Sequence, residues 1–178
     1  GNLVFFVGAG ASVDDPSNLP SFRKLAEMLA HQAGVQFPDE SAEKGGLQLD
    51  HFIGQLEARP QRFDAHEQTY KLLTRADSRP NSLHSDIVRL AGKSGAFRVV
   101  TTNYDNHLAT AALELDVKIP DRWDAPALPM GDDFEGLVHL HGSVLQPPHH
   151  MILTDRDFGR AYLTDSWATR FLLRMFER

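Results

Sequence analysis

Leu3-Val4-Phe5-Phe6-Val7 is an unbroken apolar run of β-branched and aromatic residues that stops at Gly8. Such a run reads as a strand buried on both faces of a parallel sheet, and it predicts a central strand. After Pro20 the pattern changes period: Phe22, Leu25, Ala26 and Leu29 recur at helical spacing, with Ser21 placed to cap them. Residues 34–46 are rich in Gly, Pro and charge and read as a loop. Leu49, Phe52, Ile53 and Leu56 then share a helical face that Arg59-Pro60 ends. Two more helices are predicted, over 63–73 and around Leu83, Ile87, Val88 and Leu90 to near Gly92, so that about 34–92 reads as a helical insertion with little chemistry in it. Phe97-Arg98-Val99-Val100-Thr101 predicts a second strand, running through Thr102-Asn103-Tyr104-Asp105 into another helix. Leu137-Val138-His139-Leu140-His141 predicts a third, ending at Gly142-Ser143, and Met151-Ile152-Leu153 is a candidate fourth.

Strands alternating with helices predict an α/β fold with a parallel sheet and right-handed crossovers. In such sheets ligands sit outside the carboxyl ends of the strands, and three polar motifs here occupy three such ends. They are expected to converge on one pocket. With 178 residues and 42% hydrophobic composition, the chain can bury one core, and residues 1–178 are read as a single domain. A formal net charge of -6 argues against direct nucleic-acid binding. The absence of cysteine excludes disulfides, thiolate nucleophiles and cysteine zinc sites, and is compatible with a reducing cytoplasm. No apolar stretch approaches the roughly 18 residues of a membrane span. The chain starts almost on a strand without a Met and closes on a helical pattern with no stop signal, so a piece of a longer protein is expected.

Gly8-Ala9-Gly10-Ala11-Ser12 follows a strand, and its small residues would let backbone N–H groups approach a pyrophosphate. A third fingerprint glycine is missing, because Val13 occupies its place, and a tight turn that needs glycine only for its backbone angles is the plainer alternative. The late helix start leaves Val13 to Pro20 as a mobile cover with little to bury, and puts Arg23 beside the phosphates; a solvated helix face is its other reading. Asn103 offers an amide that can orient a ribose hydroxyl or a water, and Asp105 a carboxylate that can accept from a carboxamide, or simply an Asx-type cap for the next helix. His139 and His141, two apart on a strand, are expected on one side of it. His141, beside Gly142 at the strand end, suits a general base; His139 reads as a core residue, and a His-x-His zinc site is the rival for both.

The ordered set Gly8-Ala9-Gly10-Ala11-Ser12, Leu19-Pro20-Ser21-Phe22-Arg23, Thr102-Asn103-Tyr104-Asp105 and His139-Leu140-His141-Gly142-Ser143 resembles that of sirtuins. Leu153-Thr154-Asp155-Arg156-Asp157-Phe158 is similar to the zinc-less sirtuin-like domains of bacterial antiphage defence proteins, which degrade NAD. The resemblance implies a Rossmann-like sheet flanked by helices with no zinc module, and NAD as substrate. It assigns Gly8, Ala9, Gly10, Ala11, Ser12, Arg23, Thr102, Asp105, Gly142 and Ser143 to cofactor binding, with Asn103 and His141 catalytic and no metal. His139 matches no catalytic position of that family. Deacylating sirtuins carry a four-cysteine zinc module, so a chain without cysteine argues against peptide deacylation.

The expected activity is therefore NAD glycohydrolysis to nicotinamide and ADP-ribose, as the effector of a cytoplasmic bacterial defence protein. The alternatives are a module that binds or senses NAD or ADP-ribose without turnover, and a zinc hydrolase built on the two histidines. NAD or ADP-ribose, a regulatory domain or protein partner, and a homo-oligomer are the compatible partners.

Overall fold

In the computed structural model, residues 3–38, 48–59, 63–131 and 133–177 are described. The expected loop over 39–46 and Pro60 as a helix stop lie outside them. Four strands, β1 (Phe5–Val7), β2 (Arg98–Thr101), β3 (Asp121–Asp124) and β4 (Gly136–His139), form one all-parallel sheet in the order β1-β2-β4-β3. Among the described residues seven α-helices accompany it: α1 (Phe22–Gln32), α2 (Leu49–Glu57), α3 (Ala65–Leu73), α4 (Ser82–Lys93), α5 (His107–Glu114), α6 (Asp155–Phe158) and α7 (Trp167–Phe176). This is the expected Rossmann-like α/β architecture, and β1, β2 and β4 are neighbours as the sequence predicts.

Two details of the sheet differ from expectation. β1 lies at an edge, and Phe6 on it is 51% exposed, so the apolar run does not mark a central strand. The central strands are β2 and β4, whose valines and leucine are fully buried. The fourth strand is Asp121-Arg122-Trp123-Asp124, not Met151-Ile152-Leu153, which is irregular and touches the end of β4 through a bond from the Ile152 N–H to the His141 carbonyl. β3 carries three charged side chains, so no hydrophobic pattern announces it. Pairing with β4, Asp121 opposite Gly136 through Asp124 opposite His139, makes it a strand.

Each face of the sheet is covered. On one, Val88 and Ala91 of α4 and Leu108, Ala111 and Ala112 of α5 pack on Val7, Val99 and Leu137. On the other, Phe134, Leu140, Ile152, Ala161, Ala168 and Phe171 pack on Val100 and Val138. α1, α2 and α3 share a separate cluster of Leu25, Leu29, Phe52, Ile53, Leu56 and Ala65, joined to the rest through Leu153. The residues expected at helical spacing in α1 and α2 are these, and Ser21 caps α1 by accepting from the Lys24 N–H. α4 packs on the sheet through Val88 and Ala91. Its buried face is His84, Val88 and Ala91, whereas Leu83 and Leu90 point outward.

An ion triad ties α2, α3 and α6 together. His66 sits between Glu57, 2.8 Å from Nδ1, and Asp157, 3.0 Å from Nε2. Burial would lower the His66 pKa, but the hydrogen bonds to Asp157 and Glu57 outweigh it and raise it to about 10. For Asp157 burial is likewise outweighed, by His66 and by the Thr154 backbone N–H and hydroxyl, and its pKa falls to about 2. The raised histidine stabilises fully below its unfolded value and loses that contribution as pH rises through about 10. The lowered aspartate contributes above its unfolded value and loses it as pH falls through about 2. The melting temperature of His66→Gln should therefore fall furthest below wild type between about pH 5 and 6.5, and the gap should shrink toward pH 10. Thermal unfolding of both proteins across that range checks it; a gap that widens toward pH 10 would contradict the triad.

Candidate functional site

The carboxyl ends of β1, β2 and β4 open on one cavity of about 190 Å³. Ala9 and Ser12 come from the turn after β1, Thr102, Asn103, Tyr104 and Asp105 from the turn after β2, and His141 from the turn after β4. Leu19, Pro20, Phe22, Leu25, Leu73 and Phe158 supply apolar walls.

After β1 the chain winds at once into a 3₁₀ turn, Ala9–Ser12. Gly8 and Gly10 lie exposed at its rim, where a Cβ at Gly10 would meet nothing within 4 Å and one at Gly8 only the Thr102 hydroxyl at 3.8 Å. Backbone is thus open to close approach there. Ala11 turns inward, and its carbonyl accepts from the Asn81 side chain at 2.8 Å.

Ser12 is a hub joining residues 72 to 93 positions away from it. Its hydroxyl lies 2.8 Å from Asp105 Oδ2, 3.1 Å from Asn103 Nδ2 and 3.1 Å from His84 Nε2. The protons can be assigned by elimination. His84 Nδ1 accepts from the Asn81 N–H at 3.1 Å, so Nε2 carries the ring proton and donates to Ser12. Burial, the largest influence on His84, lowers its pKa and favours that neutral form. A carboxylate only accepts, so the Ser12 proton goes to Asp105. The serine oxygen then accepts from His84 and from the Asn103 amide N–H₂. Asn103 is consequently locked with its amide nitrogen inward, and its Oδ1 is buried with no hydrogen-bond partner in the protein. An orphaned buried acceptor costs about 1–3 kcal/mol unless a ligand or water donates to it.

Asp105 also accepts the His107 N–H at 3.0 Å, so the helix-cap reading holds alongside its place in the cavity wall. His84 and Asn81 escaped the sequence reading. Their signal was present: an Asn cap with His three residues later, and a histidine on the face of a helix otherwise buried through Val88 and Ala91.

The two histidines part company. Regular pairing ends at His139 and the chain turns over residues 140–141, so they do not share a side of a strand. His139 is wholly buried; its Nε2 lies 3.3 Å from the Asp105 carbonyl, and its Nδ1 lies 3.5 Å from Arg122 and 3.3 Å from the Asp124 carboxylate. Burial, helped by the Arg122 charge, lowers its pKa to about 4. His141 faces the cavity, packs edge-to-face on Phe158 at 5.1 Å, and has Nε2 2.7 Å from the Tyr162 hydroxyl. Burial lowers its pKa to about 4, so it is an uncharged base near neutral pH. Among the described residues, the group with three possible metal ligands is Glu57, Asp64 and His66, which includes neither histidine of the His-x-His pair.

Gly142 and Ser143 shape the turn behind His141 and do not line the cavity. Gly142 has φ +81, and a Cβ there would meet the His150 carbonyl at 2.8 Å, so only glycine fits. Ser143 is fully buried and accepts from the Leu145 N–H. Arg23 also lies off the cavity wall: it pairs with Glu27 at 3.5 Å and lies over the Phe37 ring at 5.4 Å. The stretch 13–20, expected as a loose cover, is pinned. Ser17 and Leu19 are buried; Ser17 donates to the Arg79 carbonyl, Arg79 N–H to the Pro16 carbonyl, and Leu19 N–H to the Ser12 carbonyl. No helix among the described residues is long and apolar enough to cross a membrane.

Residues 98–178 match the family model of a SIR2-like domain, which implies NAD-related activity. The match takes in the Asn103 and His141 turns; the glycine turn lies before it. The chain is also 28% identical over 189 residues to an uncharacterized protein of Sinorhizobium fredii, an alignment covering 97% of this chain and 15% of that protein. The chain thus spans a small part of the length of the relative it matches.

Proposed function

We propose that this chain hydrolyses NAD to nicotinamide and ADP-ribose. The observation that carries the reading is the Asn103 amide, fixed by Ser12 on the wall of the cavity that a neutral His141 also lines, with its buried Oδ1 unpartnered in the protein. An acceptor there suits a ribose hydroxyl or an attacking water. The glycine turn leaves backbone room for a pyrophosphate, and the apolar walls exclude bulk water around a reacting sugar.

In this mechanism the bond between the ribose C1′ and the nicotinamide nitrogen breaks, and its electron pair leaves with nicotinamide, which becomes neutral. The ribose passes through an oxocarbenium-like state. A water held by Asn103 Oδ1 adds to C1′, and His141 takes the proton it releases. Asp105, each of whose oxygens accepts one bond within the fold, keeps lone pairs for the carboxamide of nicotinamide. No metal is required for a leaving group that departs neutral.

On its resemblance to antiphage NAD-degrading domains, this chain would be the effector of a defence protein. Purified protein incubated with NAD should release free nicotinamide and ADP-ribose in equal amounts, read by chromatography. Saturable NAD binding without nicotinamide would instead establish a sensing module, and loss of activity with a chelator would favour zinc chemistry.

A further inference from the structure

We propose that Tyr162 is a positioning residue for His141, holding the imidazole in the tautomer and orientation that leave Nδ1 for the ligand. The proposal rests on the reading of His141 as the base of the reaction.

The start of α6 is unusually well held. Asp157 Oδ2 accepts from the Leu153 and Thr154 N–H groups and the Thr154 hydroxyl, and also meets His66. From that anchor the chain runs through Phe158 directly into a π-helical turn, Gly159–Thr164. Such turns are rare and occur frequently at functional sites, because the added residue redirects the side chains that follow. Here the turn brings Tyr162 alongside Phe158, their rings stacked at 6.0 Å and 22°, and the Thr169 hydroxyl donates to the Tyr162 carbonyl at 2.6 Å. His141 meets both rings edge-on, and its Nε2 reaches the Tyr162 hydroxyl at 2.7 Å.

Tyr162 does not line the cavity, whereas His141 and Phe158 do. With Nε2 engaged behind, the nitrogen left to act on a ligand is Nδ1. A base needs its lone pair there, so the ring proton must sit on Nε2 and be donated to the tyrosine oxygen. Burial raises the Tyr162 pKa to about 12, so its oxygen remains an uncharged phenol. Removing that oxygen strands a part-buried N–H and frees the ring to take the other tautomer, in which Nδ1 is protonated and useless as a base.

The test is Tyr162→Phe in the full chain, which keeps both ring stacks. Nicotinamide release at saturating NAD should fall about 10²-fold, the scale for losing alignment of a catalytic group, with NAD affinity unchanged within twofold. In the His141→Ala background the same change should cost nothing further, because a residue acting through another has no effect once that one is gone. Nitrogen-15 spectra of labelled histidine should show the His141 Nε2–H tautomer in wild type and a mixture in Tyr162→Phe. Equal losses in both backgrounds, or an unaltered tautomer in the variant, would overturn the proposal. The spectra read the histidine without turnover, so a wild type that releases no nicotinamide but shows the tautomer change would sink the NAD-cleavage reading and leave the positioning of His141 intact.

Discussion

In His141→Ala, nicotinamide release should fall by a factor of about 10² to 10⁴, the usual worth of a general base, while NAD binding stays within a few-fold of wild type. The reason is place: His141 stands at the cavity wall as an uncharged imidazole. His139→Ala should do the reverse. His139 is wholly enclosed and spans the Asp105 carbonyl and Arg122, so its removal leaves a void and takes a partner from each of them. The expected cost is about 3 kcal/mol of stability, with activity per folded molecule reduced only modestly. Calorimetry beside single-turnover NAD cleavage separates the two. Paired zinc ligands would behave differently, each substitution removing metal and activity together.

A second large effect is expected at Asn103. Asn103→Ala removes from the cavity wall the amide whose Oδ1 has no partner in the protein, and the loss in nicotinamide release should be about 10² to 10³, as for other preorganised polar groups aimed at a reacting centre. Stability should fall by only about 1 kcal/mol, because Ser12 still donates to Asp105 and accepts from His84. Asn103→Asp is the stricter case. Its carboxylate cannot donate to Ser12 and would sit across the same hydroxyl from the Asp105 carboxylate, so two like charges would share one proton donor. That variant should lose activity as fully as Asn103→Ala and, unlike it, recover part of its thermal stability as pH falls and one carboxylate is protonated. Wild-type turnover in either variant would remove Asn103 from the reaction.

Much of the architecture was legible in the chain because it is written locally. Apolar runs and helical spacing mark β1, β2, β4 and the helices, since burial on a sheet or along one face of a helix imposes those periods on the residues themselves. A polar turn after each strand likewise announces where a ligand would sit, because the carboxyl ends of parallel strands share one side of the sheet. What could not be read locally was strand order, pairing and the fate of individual polar groups. Phe6 and its neighbours are apolar enough for a central strand, yet neighbourhood in the sheet is set by crossovers and left β1 at an edge. Asp121-Arg122-Trp123-Asp124 became a strand only because β4 offered it a free edge. His139 and His141 look equivalent in sequence, and a turn one residue after His139 sends one to the core and the other to the cavity. The Ser12 hydroxyl meets His84 across 72 positions and Asp105 across 93, distances over which no local pattern constrains a hydrogen bond. Residue type and period thus determined the elements and the candidate groups, while tertiary packing alone decided which polar atoms were satisfied within the protein and that Asn103 Oδ1 was not.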